Sequence, residues 1–336
     1  MLRIKIYELE KHRNETTFRP LLFANKIFRE VGIEFVKDGN ADFAFVGQAS
    51  FVNKRSSLED SVSMGMEFLK TVHEPYFLFD GQDAATLIGS YEIFNESNAL
   101  NMFKICMYKN KSDYLNGYVN GRSYWDQGDY KLKSLNKFDR ILLSHTNWLS
   151  TIKPVWHAYD SNKQYDVSAL FSANLKTTIE HGIDQSVHYN GHRQQLFASL
   201  DGKFKTVKNE NGVKYSLDEY YSKMYNSKII LSPFGFGELP PRDLESCMFG
   251  SVLIRPDVSH IETMPNIYVP YETYVPCKHD FSDLNEKIDY VLSDYKNLQH
   301  FYVENMRKKY LEEYDPNKTI LYYYNFFKTL KGVTTE

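Results

Sequence analysis

Short apolar runs, each bounded by glycine, proline or polar clusters, recur along the chain, and stretches with helical spacing separate them. Leu2–Leu9, Ala41–Val46 (ADFAFV) and Pro75–Phe79 (PYFLF) have the length and composition of buried strands. Between them, Phe18–Val31 places Leu22, Ile27 and Val31 on one helical face with Gly32 set to end the helix, and Ser61–Lys70 predicts a second helix. Ile105–Tyr108 and Ile141–Leu143 add two short apolar runs. The polar, aperiodic stretch around 150–165, which contains Pro154, reads as a linker. Beyond it the pattern resumes, with Val167–Phe171, Phe204–Val207, Ile229–Ser232, Val252–Ile254 and Ile267–Val269 as strands. Ser186–Leu200, Leu217–Asn226, Asp283–Asp294 and Leu298–Tyr314 read as helices. A last aromatic segment, Ile320–Leu330, follows Asp315-Pro316 and either caps the second unit or crosses back to the first.

Strands alternating with helices predict an α/β protein of two domains, residues 1–155 and 165–310, with 311–336 as a terminal helical segment. Each domain is expected to hold an open, largely parallel sheet, and the two sheets face each other across a cleft. Ligands of such sheets bind at the carboxyl ends of the strands. Asp80 and the Gly235 loop both follow strand candidates, so both are predicted to face that cleft.

A chain of 336 residues is too long for one ordinary core, in agreement with two domains. Its 42% hydrophobic and 25% charged residues exclude wholesale disorder, and a net charge of −3 supplies no general attraction to nucleic acid or anionic membrane. No apolar run reaches the length needed to cross a bilayer, and the opening Met1–Ile6 reads as a strand, so a cytoplasmic enzyme without a transmembrane segment is expected. Three cysteines, Cys106, Cys247 and Cys277, are odd in number and lack metal-like spacing, which fits reduced, buried thiols. Aromatic content of 15% suits a sugar-binding cleft, but an AT-rich coding sequence raises Tyr and Phe equally well.

The densest chemistry lies in Lys228–Asp257, KIILSPFGFGELPPRDLESCMFGSVLIRPD. A strand enters a loop containing Gly235, Phe236 and Gly237, whose glycines admit close backbone approach to a ligand. Pro240 and Pro241 then start a helix carrying Arg242, Asp243 and Glu245. A glycine loop opening into a helix N-terminus suits a phosphate-bearing ligand. Arg242 and Glu245, three apart, let a phosphate-binding guanidinium and a hydroxyl-binding carboxylate meet one molecule, as a sugar nucleotide requires. Arg193, preceded by the loop Ser172-Ala173-Asn174, is a second candidate cation, and Lys203 a third. His188 and His192 lie four apart, but no Glu follows the first and Gly191 interrupts them, so no metal site is expected. In the first domain Asp80 and Asp83 are candidate bases for an acceptor hydroxyl, with an Asx turn as the alternative, and Glu238 is a further acid near the donor sugar. Gly121–Trp125 is aromatic enough to line an acceptor groove or simply to pack.

The arrangement strand, SPFGFGE, PPRDLE, four residues, Gly250 and SVLIRPD resembles the second domain of GT-B glycosyltransferases, nearest the exostosin-like and group 1-like branches. Tyr271, Tyr274-Val275-Pro276 and Asp283–Ile288 are similar to the tail of that domain, so the resemblance covers about 165–310. It implies two Rossmann-like domains, an N-terminal one for the acceptor and a second for the nucleotide-sugar donor, with Glu245 on the ribose and Arg242 on the phosphates. Retaining members commonly separate two glutamates by seven residues. Glu238 and Glu245 have six between them, which favours inversion with an aspartate base. Such enzymes usually work without a metal. The expectation is therefore a hexosyl- or pentosyltransferase acting on a hydroxyl of a glycan or lipid-linked acceptor. The alternatives are a nucleotide-sugar epimerase or hydrolase on the same fold, and a non-catalytic glycan- or nucleotide-binding module.

Overall fold

The computed structural model describes residues 1–7, 18, 21–22, 24–82, 84–116, 131–145, 155–209, 215–264, 266–313 and 316–331. In the first domain the strands are β1 (Leu2–Tyr7), β2 (Ile33–Val36), β3 (Phe43–Gly47), β4 (Tyr76–Asp80), β5 (Met102–Lys104), β6 (Cys106–Tyr108) and β7 (Ile141–Leu143). Six of them form one parallel sheet in the order β2-β1-β3-β4-β5-β7. Helices α1 (Asn25–Glu30), α2 (Leu58–Leu69) and α3 (Ser90–Glu96) are among its crossovers. Ser57 caps α2 by accepting from the Asp60 amide at 3.0 Å, and Gly32, at φ +83°, follows α1 where a left-handed residue ends the turn.

The second domain contributes β8 (Tyr165–Ala169), the hairpin β9 (Ile179–Glu180) and β10 (Ile183–Asp184), β11 (Thr206–Lys208), β12 (Ser227–Leu231), β13 (Val252–Pro256), β14 (Ile261–Thr263) and β15 (Val275–Cys277). Five of these make a second parallel sheet, β11-β8-β12-β13-β15. Helices α4 (Gln185–Ser199), α5 (Leu217–Tyr225), α6 (Arg242–Met248), α7 (Leu284–Ser293) and α8 (Tyr295–Glu313) accompany it.

Two apolar runs behave differently from their sequence reading. Ile105–Tyr108 does not extend the first sheet; Met102–Lys104 does, and β6 turns away to pair antiparallel with β14 of the second domain. Ile267–Val269 is not a strand, because the Thr273 hydroxyl donates to the Ile267 carbonyl (2.7 Å) and accepts from the Val269 amide (2.9 Å), curling the run into a loop. The described part of the 150–165 stretch is tied down. Lys163 donates to the Tyr225 and Phe249 carbonyls at 2.6 and 2.8 Å, capping the last turns of α5 and α6.

Much of the phenylalanine content fills the first core. Phe45 lies 5.4 Å from Phe77 and 5.2 Å from Phe103, and Phe79 stacks on Phe103 at 6.2 Å. Helix α9 (Pro316–Lys331) lies against this layer, with Phe327 5.7 Å from Phe45 and Phe326 5.0 Å from Phe103. His145 is buried beside Tyr322 and Tyr323 of this helix, and burial lowers its pKa from 6.5 to about 4.

That depression has a sign. Between pH 6.5 and 4 the unfolded chain binds a proton at this position and the folded chain does not, so stability falls as pH drops through the window. His145 alone accounts for roughly 3 kcal/mol by pH 4. His192, buried in the second domain, is lowered as well and acts in the same direction. Melting measured at pH 7 and pH 4.5 should show this loss, and His145→Gln should reduce it. An unchanged pH slope in the variant would remove His145 as its source.

Candidate functional site

Phe171 follows the carboxyl end of β8 and lies in one apolar cluster with Leu231, the carboxyl end of β12. Arg193 reaches it from α4 and Arg242 from the start of α6, and each guanidinium carbon lies 5.6 Å from the centre of the Phe171 ring. Two cations thus converge on one aromatic ring where the strands of the second sheet end. They are held in different ways. Arg193 is buried and spends its donors on the protein: Nε on the Phe234 carbonyl (3.0 Å), Nη1 on the Ser172 carbonyl (2.7 Å) and on the Tyr189 hydroxyl. A Cβ at Gly235 would lie 3.5 Å from Arg193 Nη2, so the glycine loop passes directly over this guanidinium. Arg242 makes one long bond, from Nη2 to the Leu170 carbonyl at 3.3 Å, while its buried Nε and Nη1 have no hydrogen-bond partner. Orphaned buried donors of this kind cost about 1–3 kcal/mol each unless something accepts from them.

Glu245 sits one turn further along α6, half-buried, and accepts from the Tyr220 hydroxyl of α5 at 2.7 Å. Burial pushes the Glu245 carboxyl above its usual range, against the pull of Tyr220 and Arg242, which favour the charged form. Burial raises the Tyr220 phenol above its ordinary value as well, with the Arg242 guanidinium pulling it back. Tyr220 and Phe171 carried no motif in the sequence; only the fold brings them to the arginines.

Several predicted residues have other partners. Asp80 is fully buried: the register of β4 on β5 sets it opposite Lys104, whose ammonium bonds its carboxylate at 3.2 Å, and the Gln82 amide and Ser90 hydroxyl take the remaining acceptor sites. It presents nothing to an acceptor. Asp243 is likewise buried, bound by Arg255 of β13, by the Ser232 hydroxyl (2.5 Å) and by the Tyr268 hydroxyl (2.9 Å), so it braces α6 instead of meeting a ligand. Glu238 has no exposed surface, and its carboxylate accepts from the Ala85 amide of the first domain at 2.9 Å, closing the two domains together. Lys203 precedes β11 at the amino end of the sheet and pairs with Asp289 of α7 at 2.8 Å, away from the strand ends that carry the arginines.

The glycine loop is less open than its sequence suggests, since the Gly235 amide donates to the Gly237 carbonyl at 3.1 Å. Helix α6 begins at Arg242 behind Pro241 and runs only to Met248. Phe236 packs with Ala84 and Ile88 of the first domain, Gly237 is buried, and Ser172 is exposed beside Arg193. Asp83 and Gly121–Trp125 lie outside the described residues. His192 stacks on His279 at 4.5 Å, and among the described residues no three of His, Cys, Asp and Glu converge as metal ligands. No helix among the described residues is long and apolar enough to cross a membrane.

Comparison with protein-family models and with curated proteins gives no match. Solved structures do match. TarM superposes with a TM-score of 0.50 and 9% identity, covering 95% of this chain and 59% of its own. An alpha-glucosyltransferase in complex with UDP and a 13-mer DNA gives 0.47 and 10%, over 98% and 100%. Anabaena HepE in complex with UDP-glucose gives 0.47 and 8%, over 99% and 100%. At such identities the likeness is one of fold. With its two parallel sheets, this chain has the GT-B fold.

Proposed function

We propose that the protein is a glycosyltransferase that moves a sugar from a nucleotide-sugar donor to a hydroxyl of a glycan or lipid-linked acceptor, without a metal ion. Arg242 carries this reading. A guanidinium held half-buried with Nε and Nη1 unpartnered is matched to an anion, and diphosphate oxygens are bidentate acceptors for that fork. Glu245, three residues on, is placed for ribose hydroxyls, and Arg193 brings a second positive charge to the same ring. Together the arginines would neutralise the diphosphate as the glycosidic bond breaks, a preorganised electrostatic effect in place of an ion.

In this reading the second domain, 165–310, binds the donor and the first, 1–155, binds the acceptor. A groove of about 900 Å³ between α2, α3 and residues 131–134 suits a hydroxyl-rich chain, since apolar Val62, Met66 and Leu132 line it together with polar Glu59, Asn95 and Glu96. With Asp80 committed to Lys104, Asp83 is the remaining candidate of the pair for the base of an inverting reaction.

Thermal shift with UDP, GDP, CDP and dTDP tests the donor site, because a ligand at a hundredfold excess over its Kd stabilises the folded state by about 2.7 kcal/mol. At least one should raise the melting temperature, and its sugar conjugate should then be consumed when an acceptor glycan is supplied. No shift with any of them would end the proposal. A second reading, a donor-binding module without turnover, is favoured by the burial of Asp80 and Glu238. It predicts the shift without consumption of the donor.

A further inference from the structure

Arg242 and Glu245 are three residues apart on one helix, the spacing at which a guanidinium and a carboxylate ordinarily pair. They do not pair here. Among the described residues Glu245 makes no ion pair within 4.0 Å, and Arg242 keeps Nε and Nη1 without partners. What the carboxylate has instead is the Tyr220 hydroxyl, which donates to Oε2 at 2.7 Å from a different helix, 25 residues earlier. We propose that Tyr220 is a positioning residue of the donor site, whose hydroxyl holds the Glu245 carboxylate off Arg242 so that neither charge neutralises the other before a ligand arrives.

The phenol is itself rigidly held. Tyr220 is in the first turn of α5, directly after a capping box in which Ser216 accepts from the Glu219 amide (3.3 Å) and Glu219 accepts from the Ser216 amide (2.8 Å). At the other end of α5, Lys163 binds the Tyr225 carbonyl at 2.6 Å. The ring packs against the cluster of Leu170, Val207, Met224, Ile230 and Phe249, so its hydroxyl has little freedom to follow Glu245 elsewhere. Tyr220 Oη thereby fixes one carboxylate oxygen and leaves Oε1, which has no hydrogen bond among the described residues, for a ligand hydroxyl. Tyr220 also lies close enough to Arg242 for the guanidinium to act on the phenol, so its hydroxyl stands between the two charges. Without that hydroxyl, Glu245 would turn to Nε and Nη1 of Arg242, which already favours its charged form. The anion site would then be closed by its own neighbour.

The inference rests on the anion-binding reading of Arg242, and inorganic pyrophosphate probes that reading without involving ribose. Titration calorimetry on the full chain would compare wild type, Tyr220→Phe, Glu245→Gln and the Tyr220→Phe/Glu245→Gln double variant. Tyr220→Phe is expected to bind pyrophosphate about tenfold more weakly, the size of one charge-assisted hydrogen bond given up to the competing carboxylate. The double variant should recover wild-type affinity, because a neutral amide no longer competes for the guanidinium. Recovery is the deciding result, since a Tyr220 that merely supports packing would not be rescued by changing Glu245. Equal affinity in wild type and Tyr220→Phe, or a loss that Glu245→Gln does not restore, overturns the proposal and leaves the anion site standing. A wild-type protein that binds neither pyrophosphate nor any nucleoside diphosphate overturns both.

Discussion

Replacing Arg242 with alanine is expected to lower sugar transfer on the order of 100-fold and to abolish the rise in melting temperature with nucleotide. The free protein should melt no lower than wild type. Those effects have one cause. In the unliganded chain Arg242 is a liability, since two of its buried N–H donors are unmatched and its remaining bond, to the Leu170 carbonyl, is long at 3.3 Å. Truncation removes unsatisfied donors and gives up one long hydrogen bond, the Phe171 contact and a counter-charge for Glu245, a near balance that is the usual signature of a residue retained for a ligand and not for stability. Arg193→Ala supplies the contrast. Its guanidinium ties Ser172 and Phe234 together and lies 3.8 Å from the centre of the Tyr189 ring, so its loss should lower the melting temperature of the free protein as well as ligand binding. Paired melts of both variants, with and without nucleotide, separate the two behaviours. Near-normal turnover in Arg242→Ala would remove it from the reaction.

Several strands were readable because they are short apolar runs between breakers: Phe43–Gly47 and Tyr76–Asp80 are buried along their whole length, as strands covered on both faces must be, whereas the sheet strands Ile33–Val36, Met102–Lys104 and Val275–Cys277 were not called. The common helix of Arg242 and Glu245 was readable too, from Pro241 before it and Gly250 after it. What the sequence conceals is which polar side chains answer one another. Asp80 looked open because Lys104 is 24 residues away and becomes its neighbour only through the pairing of β4 with β5. Asp243 looked like a ligand residue because Arg255 enters from the next strand, and Tyr220 gave no signal because its partner is on another helix. Periodicity marks which face of an element is apolar but is silent on tertiary polar pairing, so buried carboxylates at strand ends are the residues most easily mistaken for catalytic ones. The departure of β6 from the first sheet has the same origin, since β14, its partner, lies some 150 residues downstream.

Asp243→Asn puts that correction to the test, and here the expected loss is structural. The carboxylate neutralises Arg255, whose side chain is wholly buried beneath α6, stacked 4.7 Å from the Tyr268 ring, with its other amino group donating to the Glu238 carbonyl. An asparagine keeps the shape but removes the charge, and its amide turns either an N–H toward Arg255 or a lone carbonyl in place of the carboxylate. Leaving one half of a buried pair without its partner costs about 3–5 kcal/mol. For a domain of this size the transition should fall on the order of 10 °C. Differential scanning calorimetry of the full chain measures this. The double variant Asp243→Leu/Arg255→Met, which replaces the pair with apolar groups, should recover part of the loss because no charge is then stranded. Had Asp243 been a ligand-contacting residue, as its place beside Arg242 in the sequence suggested, the asparagine variant would melt like wild type and fail only in binding nucleotide. That outcome would return Asp243 to the site and leave Arg255 without an explanation for its burial.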